Sequence, residues 1–184
     1  KIHGKNSRLG YILNDEGVWQ RLAGGRTVQR KNTPGSAHWY PWSLPQMNLL
    51  AGAILADPKI ARQIVMFGEI FGNQKKMKYG LPGVLGYRMF DLFTDGSYWN
   101  YDSMHDLATQ CGVETVPVLY RGPYSLAKIV ELSKGKSTIP GADHIREGVV
   151  VRPVVERLNP KVGRVILKYV SDDYLCGDFD ASGE

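Results

Sequence analysis

Arg146-Glu147-Gly148-Val149-Val150-Val151-Arg152-Pro153 is the stretch on which the reading of this chain turns. A carboxylate precedes a glycine and a run of β-branched residues, the pattern of a strand in a sheet. We read a strand over residues 148–155, with Glu147 projecting from its start. Its partner is residues 164–170, joined to it through Asn159-Pro160. Within Ile166-Leu167-Lys168-Tyr169-Val170-Ser171, Lys168 interrupts an otherwise apolar strand. Residues two apart share a face, so Ile166, Lys168 and Val170 point the same way. A lysine in that company is at an edge or aimed at something anionic.

Upstream of this pair, residues 103–110 read as a helix stopped by Gly112. Residues 116–120 read as a short strand, and 125–133 as a helix with Ser125 as its cap. Residues 8–13 and 18–22 form a hairpin around Asn14-Asp15-Glu16-Gly17, and 86–93 and 97–101 a second around Thr94-Asp95-Gly96. Gly24-Gly25 breaks the first pattern before a basic stretch with Arg26, Arg30 and Lys31. Residues 32–43 carry two prolines and two tryptophans and read as an ordered loop. Residues 44–62 are helical in character, with Leu49, Ala53, Ile54 and Ala56 near one face and Asp57-Pro58 interrupting them. Residues 63–71 read as a buried strand ending at Gly72, followed by a basic, Gly-rich loop over 73–83. Mostly antiparallel sheets flanked by helices make the expected fold class α+β.

The 184 residues are 43% hydrophobic and 22% charged, the composition of an ordinary globular domain. The longest apolar stretch, residues 49–56, already includes Gly52; a helical span needs ~20, so a membrane protein is excluded. No cationic-then-apolar leader is visible. Cys111 and Cys176 stand far apart without metal-finger spacing, which favours a reducing, cytoplasmic setting. The 23 basic residues against 18 acidic ones give +5, a weak pull toward an anionic partner. The chain opens on Lys1 rather than Met, so we expect upstream residues to be missing.

Three further segments carry chemistry-bearing residues. In Lys1-Ile2-His3-Gly4-Lys5-Asn6, a lysine stands three residues before a glycine that lets backbone approach a ligand closely. In Phe67-Gly68-Glu69-Ile70-Phe71-Gly72, a carboxylate near the end of an apolar strand needs a polar pocket or a sheet rim, because burying it unpaired is costly. In Tyr87-Arg88-Met89-Phe90-Asp91-Leu92-Phe93, Phe90 is a core aromatic or a flat face for a purine. His38, His105 and His144 have no metal-ligand spacing. Trp39, Tyr40 and Trp42, like the loop Lys75-Lys76-Met77-Lys78-Tyr79, interleave aromatic and basic residues; loop packing and a solvated charge run explain them more simply than contact with a polyanion.

Taken in order, these five segments resemble the motif set of the covalent nucleotidyltransferases, whose domain is α+β and ATP-grasp-like. Within that superfamily they look most like the ATP-dependent RNA ligases of the nick-sealing phage and Deinococcus-type branch. Histidine two positions after the lysine, where DNA ligases usually carry aspartate, points to the RNA side. The resemblance implies one nucleotidyltransferase (adenylyltransferase) domain over residues 1–184, truncated at its N-terminus. It implies that Lys1 attacks the α-phosphate of ATP and becomes Lys–AMP. Lys168 lies on that phosphate, and Glu147 serves the metal-dependent chemistry with Mg²⁺ or Mn²⁺. Glu69 meets the ribose hydroxyls, Phe90 stacks on adenine, and His3 and Gly4 belong to the nucleophile motif. Arg26 best fits the arginine that follows the nucleophile, ahead of Arg21. The implied partners are RNA ends or a nicked duplex, and no membrane. The alternatives are a DNA ligase, a capping guanylyltransferase, or a non-catalytic nucleic-acid-binding relic.

The assignment agrees with elementary chemistry. A lysine near its reference pKa of ~10.4 is protonated at neutral pH, so a nucleophilic lysine needs a neighbouring cation to ease its deprotonation. Mg²⁺ takes few carboxylates together with phosphate and water, which suits a lone Glu147. One departure stands out: relatives often carry a basic residue two positions before the last lysine, where this chain has Ile166. Arg164 is the nearest basic residue.

Overall fold

In the computed structural model, which describes residues 1–60, 62–72 and 74–177, Asn14 closes the first hairpin. Its Oδ1 accepts from the amides of Glu16 and Val18 at 3.1 and 2.8 Å, and Gly17 takes the left-handed φ of +75°. The hairpin joins β1 (Lys5–Leu13) to β2 (Trp19–Gly24) antiparallel. β1 also pairs antiparallel with β3 (Gln63–Phe71), setting Leu9 opposite Met66 and Asn6 opposite Glu69. β4 (Gly86–Thr94) and β5 (Ser97–Tyr98) complete a five-stranded sheet in the order β2-β1-β3-β4-β5.

This sheet belongs to the first of two compact units, Lys5–Ile70 with Tyr87–Thr115. Burial alternates along its strands as a one-sided sheet requires. Ile64, Met66, Tyr87 and Met89 are buried, and their chain neighbours are less so. A 3₁₀ turn (Ala37–Ser43) leads into α1 (Pro45–Leu55), which begins with proline at its first turn, where a missing amide costs nothing. Met47, Leu50, Ala51 and Ile54 form the buried stripe of α1, at i, i+3, i+4 and i+7. Of the residues expected together near one face, Ile54 is in that stripe, whereas Leu49, Ala53 and Ala56 fall outside it and are exposed, Leu49 by 64%. The helix stops before Asp57-Pro58, the interruption foreseen. α2 (Tyr101–Gln110) starts two residues earlier than expected and buries Met104 and Ala108.

The second unit comprises Lys1–Gly4, Phe71–Gly86 and Val116–Glu184. Ile2, Phe71, Tyr79 and Ile139 form its apolar centre, with Leu81, Val116 and Ala142 against it. α3 (Leu126–Ser133) is capped as expected: Ser125 Oγ accepts from the Lys128 amide at 3.3 Å. β6 (Gly148–Val151) pairs antiparallel with β9 (Leu167–Val170), while β7 (Leu158–Asn159) and β8 (Gly163–Arg164) make a separate two-residue ladder. Both long strands of the opening reading are therefore shorter than expected, β6 ending two residues ahead of Pro153. The expected strand at 116–120 does not form; Pro117 removes a donor from its middle, and Val118 and Tyr120 are exposed. α4 (Asp172–Cys176) was not foreseen. Ala61 and Asn73, in the expected helix 44–62 and loop 73–83, lie outside the described residues. Among the described residues, no helix is long and apolar enough to cross a membrane, and Cys111 and Cys176 are free thiols.

Candidate active site

Glu147 stands one residue ahead of β6, and its carbonyl accepts from the Ser171 amide at 3.0 Å, continuing the β6–β9 ladder. Gly148 makes this junction possible. Its φ is +145°, and a Cβ there would lie 2.0 Å from the Tyr169 carbonyl oxygen. Gly148→Ala is therefore expected to push β6 from β9 and cost roughly 1–3 kcal/mol, as overpacking against backbone does. Chemical denaturation of the variant checks this; unchanged stability would show that the junction tolerates a side chain.

The Glu147 side chain is 7% exposed and lies between two lysines. Lys1 Nζ is 2.6 Å from Oε2, and Lys168 Nζ is 3.0 Å from Oε1. The Lys1 backbone nitrogen donates to the Gly148 carbonyl at 2.5 Å, which sets the residue against the head of β6. Lys168 reaches in from β9, where it pairs with Val150 across the ladder. His3 Nδ1 stands 3.7 Å from Glu147 Oε2 and 3.0 Å from the Tyr174 hydroxyl. Burial pushes the Glu147 carboxyl up, but His3, Lys1 and Lys168 outweigh it and hold it down at about 2. Burial, then the Glu147 charge, raises the Tyr174 phenol.

The segment that carries Lys1 is fixed by Tyr79. Its hydroxyl accepts from the His3 amide at 2.8 Å and donates to the His3 carbonyl at 3.0 Å. The Tyr79 ring is 1% exposed, tilted on Phe71 at 4.7 Å and edge-on to His144 at 4.6 Å. Gly4 follows at a bend before β1. Among the described residues, no three His, Cys, Asp or Glu side chains gather as a metal cage. One buried carboxylate beside two ammonium groups suits a phosphate oxyanion, and a hard cation arriving with it.

The remaining candidates stand in the sheet unit. A Cβ on Gly68 would strike the Tyr87 ring at 2.3 Å, so Gly68 and Tyr87 share the buried face. By alternation, Glu69 on β3 and Phe90 on β4 share the opposite face, where both are half-buried. Arg8, over the Phe67 ring at 5.5 Å, belongs to that face too. Phe90 is therefore not a core side chain. Arg26 is exposed in the turn that follows β2, closed by the Gly25 amide on the Val28 carbonyl at 2.9 Å. Arg21 lies over the rings of Trp42 and Tyr11 at 5.2 and 5.9 Å.

Lys1, His3, Glu147 and Lys168 are thus brought together within one unit, and Glu69 and Phe90 onto one sheet face of the other. Arg164 is not available as a substitute at the Ile166 position. Its guanidinium holds Glu156 through both oxygens at 2.9 and 2.8 Å, and Arg152 binds the same carboxylate. Sequence reading missed Tyr79 and Tyr174. Tyr79 was hidden in a run that looked like solvated charge. Tyr174 follows the Ser171 cap, whose Oγ accepts from its amide at 3.3 Å.

A family model described as RNA ligase matches residues 1–170. No curated protein matches the sequence. Among solved structures, the fold is similar to the RNA ligase of Naegleria gruberi. An arginine-to-alanine mutant of that enzyme with ATP and Mn aligns with a TM-score of 0.73 at 18% identity, over 96% of this chain and 49% of that one. A glutamate-to-alanine mutant with AMP and Mn gives 0.72 at 18%, with the same coverage. The enzyme with PPi gives 0.69 at 19%, again over 96% and 49%. At such identity the likeness is one of fold, and this chain spans about half the length of those it matches.

Proposed function

From the chain's place in the RNA ligase family, to which it belongs over residues 1–170, we propose that it carries out ATP-dependent joining of RNA 3′-OH and 5′-phosphate ends. The observation that carries this reading is the single carboxylate of Glu147 bridging Lys1 and Lys168. Lys1 Nζ, as the free amine, attacks the α-phosphorus of ATP; the N–P bond forms as the P–O bond to pyrophosphate breaks, and the amine proton leaves with pyrophosphate or to solvent. An oxygen of the RNA 5′-phosphate then attacks the same phosphorus, returning Lys1 as an amine and yielding the RNA adenylate. The 3′-OH finally attacks the 5′-phosphorus, and AMP leaves.

In this scheme Glu147 orients Lys1 rather than deprotonating it. A carboxylate held at about 2 is a weak base at neutral pH. Lys168, half-exposed, keeps a fixed positive charge for the α-phosphate. His3 and Gly4 shape the segment carrying the nucleophile. A divalent cation, when bound through Glu147, phosphate and water, neutralises phosphate charge. We assign Glu69 to the ribose hydroxyls, Phe90 to the adenine face and Arg26 to the nucleotide. Half-burial of Glu69 and Phe90 on one sheet face supports those two roles.

Incubation with α-labelled ATP and Mg²⁺, a denaturing gel, and then sealing of a pre-adenylylated RNA nick tests the proposal. Labelling by GTP instead would indicate a capping enzyme, and sealing only of DNA 3′-OH ends a DNA ligase. Phe90→Ala is expected to weaken ATP roughly 5- to 150-fold, the worth of one base–aromatic stack, with little change in melting temperature. Phe90→Trp should be mild. Loss of stability with unchanged nucleotide affinity would remove Phe90 from the pocket.

A further inference from the structure

Beside the sheet edge formed by β2 lies an open groove of about 640 Å³ lined by Tyr11, Trp19, Arg21, Trp39, Trp42 and Asn32. It lies within the sheet unit and uses none of the residues assigned above. Tyr11 and Trp19 are stacked, with centroids 5.7 Å apart and planes 14° from parallel. Arg21 lies across Tyr11 and Trp42. The indole N–H groups of Trp39 and Trp42 already donate to the carbonyls of Arg30 and Leu22, each at 2.9 Å. Those two rings are therefore anchored by their edges, and what Trp39 offers the groove is an apolar face. Trp19 and Trp39 remain half-buried, leaving ring surface accessible.

The lining carries one charged side chain, Arg21, and every lining residue but Tyr11 comes from residues 17–56. Residues 17–56 contain no Asp or Glu and carry Arg21, Arg26, Arg30 and Lys31, all exposed. Flat aromatic faces with an arginine among them and no acidic side chain in the lining match a polyanion that carries π-faces at intervals. Neither a lipid surface nor an acidic peptide would call for one stacked indole and two edge-anchored ones.

We propose that this groove binds an unpaired stretch of the RNA substrate, with bases on Trp19 and Trp39 and a phosphate on Arg21. The proposal rests on the RNA-joining reading, and it adds a site apart from the lysine–carboxylate cluster. It gives the enzyme a preference for ends that carry a single-stranded segment over fully paired ones. Arg21 is suited to the phosphate because stacking on Trp42 pre-orients its guanidinium fork.

The test is binding of a fluorescent single-stranded oligoribonucleotide and of the same sequence base-paired, with adenylylation by labelled ATP measured alongside. The single strand should bind more tightly and quench tryptophan emission. Trp19→Ala or Trp39→Ala should weaken it roughly 5- to 150-fold, while Trp19→Phe restores most of the loss. Arg21→Gln should weaken binding and lower the slope of log affinity against log salt by about 0.7, the value for one phosphate on a single strand. Adenylylation should be unchanged in all four variants. Wild-type single-strand affinity in Trp19→Ala and Arg21→Gln would overturn the proposal, as would equal binding of duplex and single strand. Self-association abolished by Trp19→Ala, without any effect on RNA, would reassign the groove to a second copy of the chain. A protein that binds RNA through these residues but never takes label from ATP would sink the ligase reading and leave the groove standing.

Discussion

Lys1→Ala is expected to abolish transfer of label from α-labelled ATP to the protein. The wild-type label should sit on a phosphoramidate, lost in acid and stable in alkali, and peptide mapping should place it on Lys1 Nζ. The variant should still fold. Glu147 keeps Lys168 at 3.0 Å when Lys1 is gone, so no buried charge is left unpaired. Lys1→Arg separates chemistry from charge, since guanidinium can still pair with Glu147 but is not a nucleophile; it should be as inactive as the alanine variant. The folded Glu147 carboxyl is held at about 2 against an ordinary 4.5. A depressed acid adds stability that is present above its unfolded value and lost as pH falls through its folded value. The wild-type contribution therefore disappears between about pH 4.5 and 2, and removing Lys1 should shift that loss to higher pH. Full labelling of Lys1→Ala would show that another group is the nucleophile.

The parts of the fold legible in the sequence were those with local causes. The Asn14 turn, the Ser125 cap and β3 over 63–71 follow from side chains within a few residues of the feature they produce. Glu147 and Lys168 were legible for the same reason, a strand beginning at a glycine and an unexpected cation in an apolar run. What sequence could not supply was pairing at a distance. Nothing local says that Lys1 and Lys168 take opposite oxygens of one carboxylate, 146 residues from the first. The Tyr79 clamp on His3 is equally non-local, and its residue sits in a run whose charges disguise a buried ring. The inner face of α1 was misjudged because Leu49 is apolar but falls outside the stripe begun by Met47. Pro117 undid the strand at 116–120 against the pull of Val116 and Val118.

Glu147 and Lys168 should fail in different ways, because one carries the negative charge at the site and the other a fixed positive one. Glu147→Ala leaves two lysines that are 22% and 50% exposed at the side chain, so both can be hydrated and the variant should remain folded. Its defect should lie in phosphate charge neutralisation by the divalent cation, of roughly 10- to 100-fold. Raised Mg²⁺ or Mn²⁺ should recover part of that loss, since weak occupancy yields to concentration. Lys168→Ala should remove the preorganised cation proposed for the α-phosphate, an expected defect of roughly 10²- to 10³-fold. Added metal should not repair it, because a cation that would be bound through Glu147, phosphate and water is still present in this variant, and what has gone is the separate charge carried by β9. Melting temperatures within a few degrees of wild type establish that each variant is folded. Adenylylation and sealing of a pre-adenylylated nick are then measured across a metal titration. Normal sealing by Glu147→Ala at low Mg²⁺, or identical titration curves for the two variants, would show that this division of labour is wrong.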